Sequence, residues 1–247
     1  MILLPIKCPH CGSTDVQKNG FSRTGKQRYA CNNNDCSKKT FIEEYTNKAC
    51  DPAVRNQIFF CTVNGNGTRA TARILGIAKD TVTDALRSIE RNLWFVNYDY
   101  INRHTDIEVE IVPVDEVEMD EMWSFVGDKS QQCWLWWAID HNTGEPLAFC
   151  FGSREYKNLD ALLELLSPFK IDVIYADDNY AYKSRVKKSD LVTGKRNTQK
   201  IERKHLSLRT WCSRLVRKGI RFSKNKQLHV IVVSLIINFW FFDRIPW

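Results

Sequence analysis

Downstream of residue 115, the spacing of apolar positions changes repeatedly. EVEMDEMWSFVGD (116–128) and CWLWWAID (133–140) are rich in apolar and aromatic residues and predict two strands. The HNTGEP turn leads to a third strand, LAFCFGS (147–153), which completes an antiparallel meander. The spacing then becomes helical. NLDALLELLSPF predicts an amphipathic helix capped by Asn158. KIDVIYAD returns to a short buried strand ending at Asp177, and NTQKIERKHLSLRTWCSRLVRKG predicts a long helix with Ile201, Leu208, Trp211 and Leu215 on its apolar side. Pairing of the fourth strand beside the first would bring Asp120 and Asp177 to one end of a sheet, with Glu202 laid across that end. Leu228–Phe242 reads as a buried core helix: it is too short to span a bilayer comfortably and is interrupted by His229, Ser234 and Asn238.

Upstream the pattern is helical. Pro52 can open a helix that runs through Val63 to the NGNG break. In TRATARILGIAKDTVTDALRSIERNL, Ala70, Ile74 and Leu75 line one helix, Gly76 permits a tight turn, and Asp80 can cap a second helix with Val82, Leu86 and Ile89 inside. This predicts a helix-turn-helix whose second helix enters the major groove. Lys79, Thr81, Thr83 and Arg87 are the contact candidates there, with Arg69 on the preceding helix. The domain expectation is therefore a cysteine-bearing finger at 1–48, a helix-turn-helix at 49–95, a linker with an acidic strand (IEVEIV) at 96–113, and an α/β domain at 114–247.

Charge adds a partner. Between Asn179 and His229 there are 16 Lys/Arg against two acids, a local net of +14, while the whole chain carries only +7. The rest of the chain is thus about 7 units negative (+7 − 14), and the basic block suggests a polyanion such as DNA. Lys200, Arg203, Lys204 and Arg209 are the candidates for holding its backbone. A short apolar start, MILLPIKCPHC, without a small-residue cleavage site predicts a cytoplasmic protein with no signal peptide and no membrane anchor.

Nine cysteines without a secretory signal suit a reducing compartment. Cys8/Cys11 and Cys31/Cys36 form two pairs with the spacing of a four-cysteine structural Zn2+ site, with His10 a spacer. So small a segment has too little apolar mass to fold without the metal. Cys50, Cys61, Cys133, Cys150 and Cys212 read as packing residues.

Asp120, Asp177 and Glu202 carry the candidate chemistry. Brought together, three carboxylates can hold two Mg2+ (or Mn2+) ions about 3.5–4 Å apart, the clamp used for in-line displacement at phosphorus. The residues alone leave alternatives open. Asp120 stands among Asp115, Glu116, Glu118 and Glu121, Asp177 is tied with Asp178, Asp140 reads as a hairpin turn residue, and Glu202 could pair with neighbouring cations.

NGNGTRATARILGI, MDEMWSFVG, FGSRE, YADDNYAYKSR, NTQKIERKHLSLR and FSKNKQLH together resemble the transposases of the insertion-sequence-one family, over roughly Cys8 to His229. The resemblance implies an N-terminal zinc finger and helix-turn-helix, then a DDE catalytic domain of ribonuclease-H-like fold. It implies Asp120, Asp177 and Glu202 as the catalytic, metal-binding acids, with 24 residues between the last two, and Cys8, Cys11, Cys31 and Cys36 as zinc ligands. The expected activity is binding of an element's terminal inverted repeats, strand cleavage, and joining of the freed 3′-hydroxyl to target DNA by a dimer or larger assembly. The other readings are a DNA-binding repressor with a dead catalytic domain, and a structure-selective nuclease.

Overall fold

The computed structural model describes residues 5–43, 45, 48–102 and 114–246; the acidic strand expected at 107–112 lies outside them. The chain divides into two compact units, 1–61 with 68–85, and 62–67 with 86–247.

The first unit opens with a three-stranded antiparallel sheet, β1 (Val16–Phe21), β2 (Gln27–Cys31) and β3 (Thr40–Ile42). Its core is small: Cys8, Cys31 and Cys36 are buried with Tyr29 and Phe41, whose rings stack at 5.6 Å. Helices α1 (Pro52–Val63), α2 (Thr68–Leu75) and α3 (Lys79–Ile89) follow. Pro52 opens α1, and Gly76 takes φ +61° at the turn between α2 and α3, a left-handed conformation that glycine adopts without a Cβ penalty. The inner face of α2 differs from expectation. Thr71 and Ala72 are its buried residues, and Ile74 is 61% exposed. Asp80 lies inside the first turn of α3, paired with Lys79 at 3.3 Å, and does not cap it.

After α4 (Tyr98–Asn102), the second unit is built on β4 (Glu116–Val126), β5 (Asp128–Asp140), β6 (Pro146–Gly152), β7 (Val173–Ala176) and β8 (Leu191–Thr193), in the order β6-β5-β4-β7-β8. β4, β5 and β6 form the antiparallel meander, while β7 and β8 pair parallel. The helices are α5 (Tyr156–Leu166), α6 (Tyr180–Arg185), α7 (Gln199–Trp211) and α8 (Lys226–Trp240). This mixed sheet flanked by helices is the ribonuclease-H-like arrangement.

β4 sits at the centre and is covered on both faces, so its side chains alternate between two cores. Val117 and Met119 join Leu159, Leu162, Leu166 and Tyr182 of α5 and α6. On the other face Glu118 meets the backbone of α7, and Ser124 Oγ lies 3.0 Å from Nε2 of His229 on α8. Two of the polar interruptions of the apolar α8 are thereby partnered: His229 Nδ1 also meets Ser223 Oγ at 2.9 Å, and Asn238 donates to the Trp94 and Ser234 carbonyls, while the buried Ser234 hydroxyl has no partner among the described residues. Among the described residues no helix is long and apolar enough to cross a membrane.

Three local expectations shift. Helix α5 begins at Tyr156, and the Asn158 amide reaches back to the Ser153 carbonyl from inside the helix instead of capping it. Helix α7 ends at Trp211 because Cys212 is extended, and Leu215 reaches the core from a separate 3-10 turn. Segments α6 and β8 are additions to the expected elements: both are short, six and three residues, too brief to show a period. Cys50 is exposed and packs no core, whereas Cys133 and Cys212 are buried.

Candidate active site

Strand register brings the first two acids together. Glu116, Val117 and Glu118 of β4 lie opposite Val173, Ile174 and Tyr175 of β7, and two further residues along that register set Asp120 beside Asp177. Carboxylate oxygens of Asp120, Glu121 and Asp177 all lie within 4.8 Å of one another. Glu202 is exposed, in the first turn of α7, and its charge acts on Asp120. The structure thus brings Asp120 and Asp177 into one cluster, sets Glu202 at its margin, and adds Glu121.

Glu121 points to the face of β4 opposite that of Asp120. Its side chain is 2% exposed, and its Oε1 accepts from Nε and Nη2 of Arg154 at 3.0 and 2.8 Å and from the Asn179 amide at 2.9 Å. Oε2 accepts the Tyr182 hydroxyl at 3.0 Å. Arg154 also lies over the Trp134 ring, 4.8 Å from its centroid. Glu121 was grouped with its acidic neighbours in the sequence reading. Its phase with Val117 and Met119, two residues apart on the core face, was the available signal. Asp177 turns into the cluster and accepts the Asn179 N–H, whereas Asp178 turns outward to Lys183 at 2.5 Å. Asp140 is a turn residue, accepting from Tyr100, Asn142 and Thr143.

The start of α7 is tied to the sheet by Glu118. This buried carboxylate accepts the Ile201 N–H at 2.9 Å through Oε2 and meets His141 Nδ1 at 2.9 Å through Oε1. A carboxylate at a helix N-terminus satisfies an orphan donor and complements the dipole. Lys200 bonds the His141 and Asn142 carbonyls, which engages its amine in the same anchor. Residue 202 is therefore carried on a helix end fixed from two sides.

The electrostatics of the cluster are one-sided. Burial, then the charges of Glu121, Asp177 and Glu202, push the Asp120 carboxyl up to about 7, although the Glu121 N–H opposes the shift. Asp177 is raised by burial and by Glu121. His205 lies 3.5 Å from Asp120 Oδ2 but does not neutralise it, because burial and then Arg209 and Arg217 hold its pKa down to about 3. Its Nε2 accepts Trp137 Nε1–H at 2.8 Å, so the ring proton of the neutral imidazole sits on Nδ1, facing Asp120. The donor set is thus all oxygen and crowded, with Arg154 paired to it through Glu121, and it fits a divalent ion such as Mg2+.

The four-cysteine site fits zinc in shape as well as in composition. All four Sγ atoms lie within 4.8 Å, with Cys8–Cys36 at 3.7 Å and Cys11–Cys31 at 3.6 Å. Zn–S bonds of about 2.3 Å set tetrahedral edges of about 3.8 Å. The wider spacing of CNNNDC is absorbed by a turn in which Cys36 N–H bonds the Asn33 carbonyl and Asp35 N–H the Asn33 side chain. The Cys11 thiol is lowered to about 7, first by a backbone hydrogen bond at Ser13, whereas burial raises those of Cys31 and Cys36.

Among the remaining candidates, Arg69, Lys79, Arg87 and Arg203 are exposed and Thr81 half-buried. Thr83 is buried and donates to the Lys79 carbonyl at 3.1 Å, so its hydroxyl is spent inside α3 and is no surface contact. Lys204 is half-buried with its amine 5.1 Å from the Phe241 ring, and Arg209 is half-buried.

In comparison with known protein families, residues 114–243 match the family described as IS1 transposase. The chain belongs to the IS1 transposase family. Residues 1–37 match the InsA N-terminal domain and 45–89 the InsA C-terminal domain, so a zinc ribbon, a helix-turn-helix and a DDE domain follow one another here. The InsB protein of insertion element iso-IS1n from Shigella dysenteriae is 46% identical over 121 residues, covering 49% of this chain and 92% of the relative. An InsB protein of insertion element IS1 from Shigella sonnei is 43% identical over 121 residues, covering 49% and 92%. Another from Escherichia coli K12 is 43% identical over the same length, covering 49% and 72%. This family membership makes the chain a DNA-binding transposase in general terms.

Proposed function

We propose that the chain binds the terminal inverted repeats of an insertion sequence, cuts a strand at the element end, and joins the freed 3′-hydroxyl to target DNA. The observation that carries this reading is the convergence of Asp120, Glu121 and Asp177 within 4.8 Å, with the charge of Glu202 acting on the first of them. Asp120, Asp177 and Glu202 are the proposed catalytic ligands. A pair of Mg2+ ions, when bound, would supply charge neutralisation and activation of oxygen at the two sides of the scissile phosphate.

The protein's own contribution is placement. Arg154, Asn179 and Tyr182 lock Glu121 beneath Asp120 and Asp177, which stiffens the floor of the site. Glu118 holds the first turn of α7, and with it Glu202, over the end of the sheet. Exposed Arg203 and half-buried Arg209 and Lys204 lie on the same helix, where they would take the phosphates of an approaching strand. Zinc at Cys8, Cys11, Cys31 and Cys36 is structural and holds the ribbon that precedes α1–α3. Arg69, Lys79, Thr81 and Arg87 are the proposed element-end contacts, acting within a dimer or larger assembly that pairs two ends.

The test uses DNA that carries the sequences flanking the coding region. Mg2+-dependent nicking at the element boundary, followed by joining to a target plasmid, is expected. Asp120→Ala should abolish both reactions and leave DNA binding within twofold. Cleavage with no joined product from supplied 3′-hydroxyl ends would favour a nuclease, and binding without cleavage would favour a repressor.

A further inference from the structure

A concave surface further along β4 from Asp120 takes no part in the proposed reaction. It is a groove of about 640 Å³ between the end of β4 and the segment 214–222 that joins α7 to α8. Its volume falls within the roughly 300–1,000 Å³ range of sites that enclose small organic groups. Three aromatic rings form one wall. Trp123 and Phe125 lie 5.4 Å apart, and Phe125 and Phe222 lie 5.1 Å apart. Lys129, Arg214, Arg217 and Lys218 supply cations, and no acid is present among the described lining residues. Ile220 stands 90% exposed at the rim.

The groove lies further along the strand that carries the first acid. Trp123 is three residues beyond Asp120 on β4, a separation of about 10 Å, with its side chain on the opposite face. Arg217 acts electrostatically on His205 and Arg209, and these two residues in turn interact with Asp120. A path of positive charge thus leads from the groove to the acids. Duplex DNA hides the flat faces of its bases, so an aromatic wall has no use for a fully paired strand. A cationic groove with flat aromatic surfaces suits a strand whose bases are unpaired, since every base can stack and every phosphate can be neutralised.

We propose that this groove holds unpaired nucleotides of the DNA strand entering the acidic centre, with bases against Trp123, Phe125 and Phe222 and phosphates on Lys129, Arg217 and Lys218. The proposal rests on the transposase reading and names the single-stranded segment as the form of DNA taken at that site.

Fluorescence anisotropy of the full chain with a short labelled oligothymidylate, and separately with an element-end duplex, tests it. The chain should bind the oligothymidylate. Phe222→Ala should weaken that binding roughly 5- to 150-fold, the span expected for loss of one stacking contact. Duplex binding through the N-terminal unit should stay within twofold, and Phe222→Trp should restore single-strand affinity. Lys218→Gln, a substitution at an exposed residue, should reduce the salt slope on single strands by about 0.7. Unchanged oligothymidylate affinity in both Phe222→Ala and Lys218→Gln would overturn the proposal. So would a wild-type dimer that Ile220→Asp dissociates without any effect on oligothymidylate binding, since the groove face would then be covered by a second copy. Nicking by wild-type protein separates the two claims. Groove variants with normal single-strand binding beside active wild type refute the groove alone, whereas groove-dependent binding by a protein that never cuts refutes the transposase reading alone.

Discussion

Replacing Asp120 with Asn should make the metal-free protein more stable while abolishing its activity. The unfolded chain releases the Asp120 proton near its ordinary 3.8, and the folded chain holds it to about 7. Between those values the folded state binds more protons than the unfolded state, so stability falls as pH rises, and above about 7 the full penalty stands. A difference of about three units corresponds to about 4 kcal/mol at roughly 1.36 kcal/mol per unit. The Asp120 side chain is 21% exposed, and solvent screening brings the figure to about 2–3 kcal/mol. Asn keeps an oxygen for the Glu121 N–H, which Asp120 accepts at 2.8 Å, so the substitution removes charge with little loss of hydrogen bonding. Urea unfolding followed by tryptophan fluorescence, without added divalent cation, should show Asp120→Asn ahead by about 2–3 kcal/mol near pH 8 and by about 1 kcal/mol near pH 5. The variant also serves as the control for every other titrating group. Adding Mg2+ should then stabilise wild type and leave the variant nearly unmoved, because only the intact cluster gains from binding. Equal stabilities near pH 8, or parallel pH profiles, would refute the claim that the crowded acids are held at an electrostatic cost that a cation relieves.

Glu118→Ala should leave the Ile201 N–H without its buried acceptor, costing about 1–3 kcal/mol in urea unfolding. It should also lower nicking at least tenfold by loosening the helix end that carries Glu202, an effect a merely destabilised but correctly placed α7 would not show at temperatures well below its transition. Cys31→Ser should release zinc, read by elemental analysis of the purified chain, and make residues 5–43 susceptible to protease, with the transition of the larger unit unchanged.

What could be read from the sequence followed from how strongly each segment's surroundings constrain it. The run KIDVIYAD has one outcome, a short buried strand whose last residue reaches the sheet end, and β7 ends at Ala176 with Asp177 just beyond. The tie between Asp177 and Asp178 is broken by the turn that follows, in which Asn179 caps α6 and draws Asp177 inward. On β4 a different rule applies. A strand with one wet face announces its inner residues by alternation, but β4 is buried on both faces, so alternation sets Glu121 apart from Glu118 and Asp120 without saying which face carries the site. Only the helices packed on each side assign their roles: α7 makes Glu118 an anchor, α6 and Arg154 make Glu121 a fixed floor, and Asp120 is left facing the opening. His205 was hidden for the same reason. In a stretch as basic as KIERKHLSLR it reads as one more surface cation, yet its ring stacks on Trp137 with centroids 5.6 Å apart and burial keeps it neutral. The acids of this site were therefore legible as residue types, and their division of labour became legible only from the pairing of elements distant in the chain.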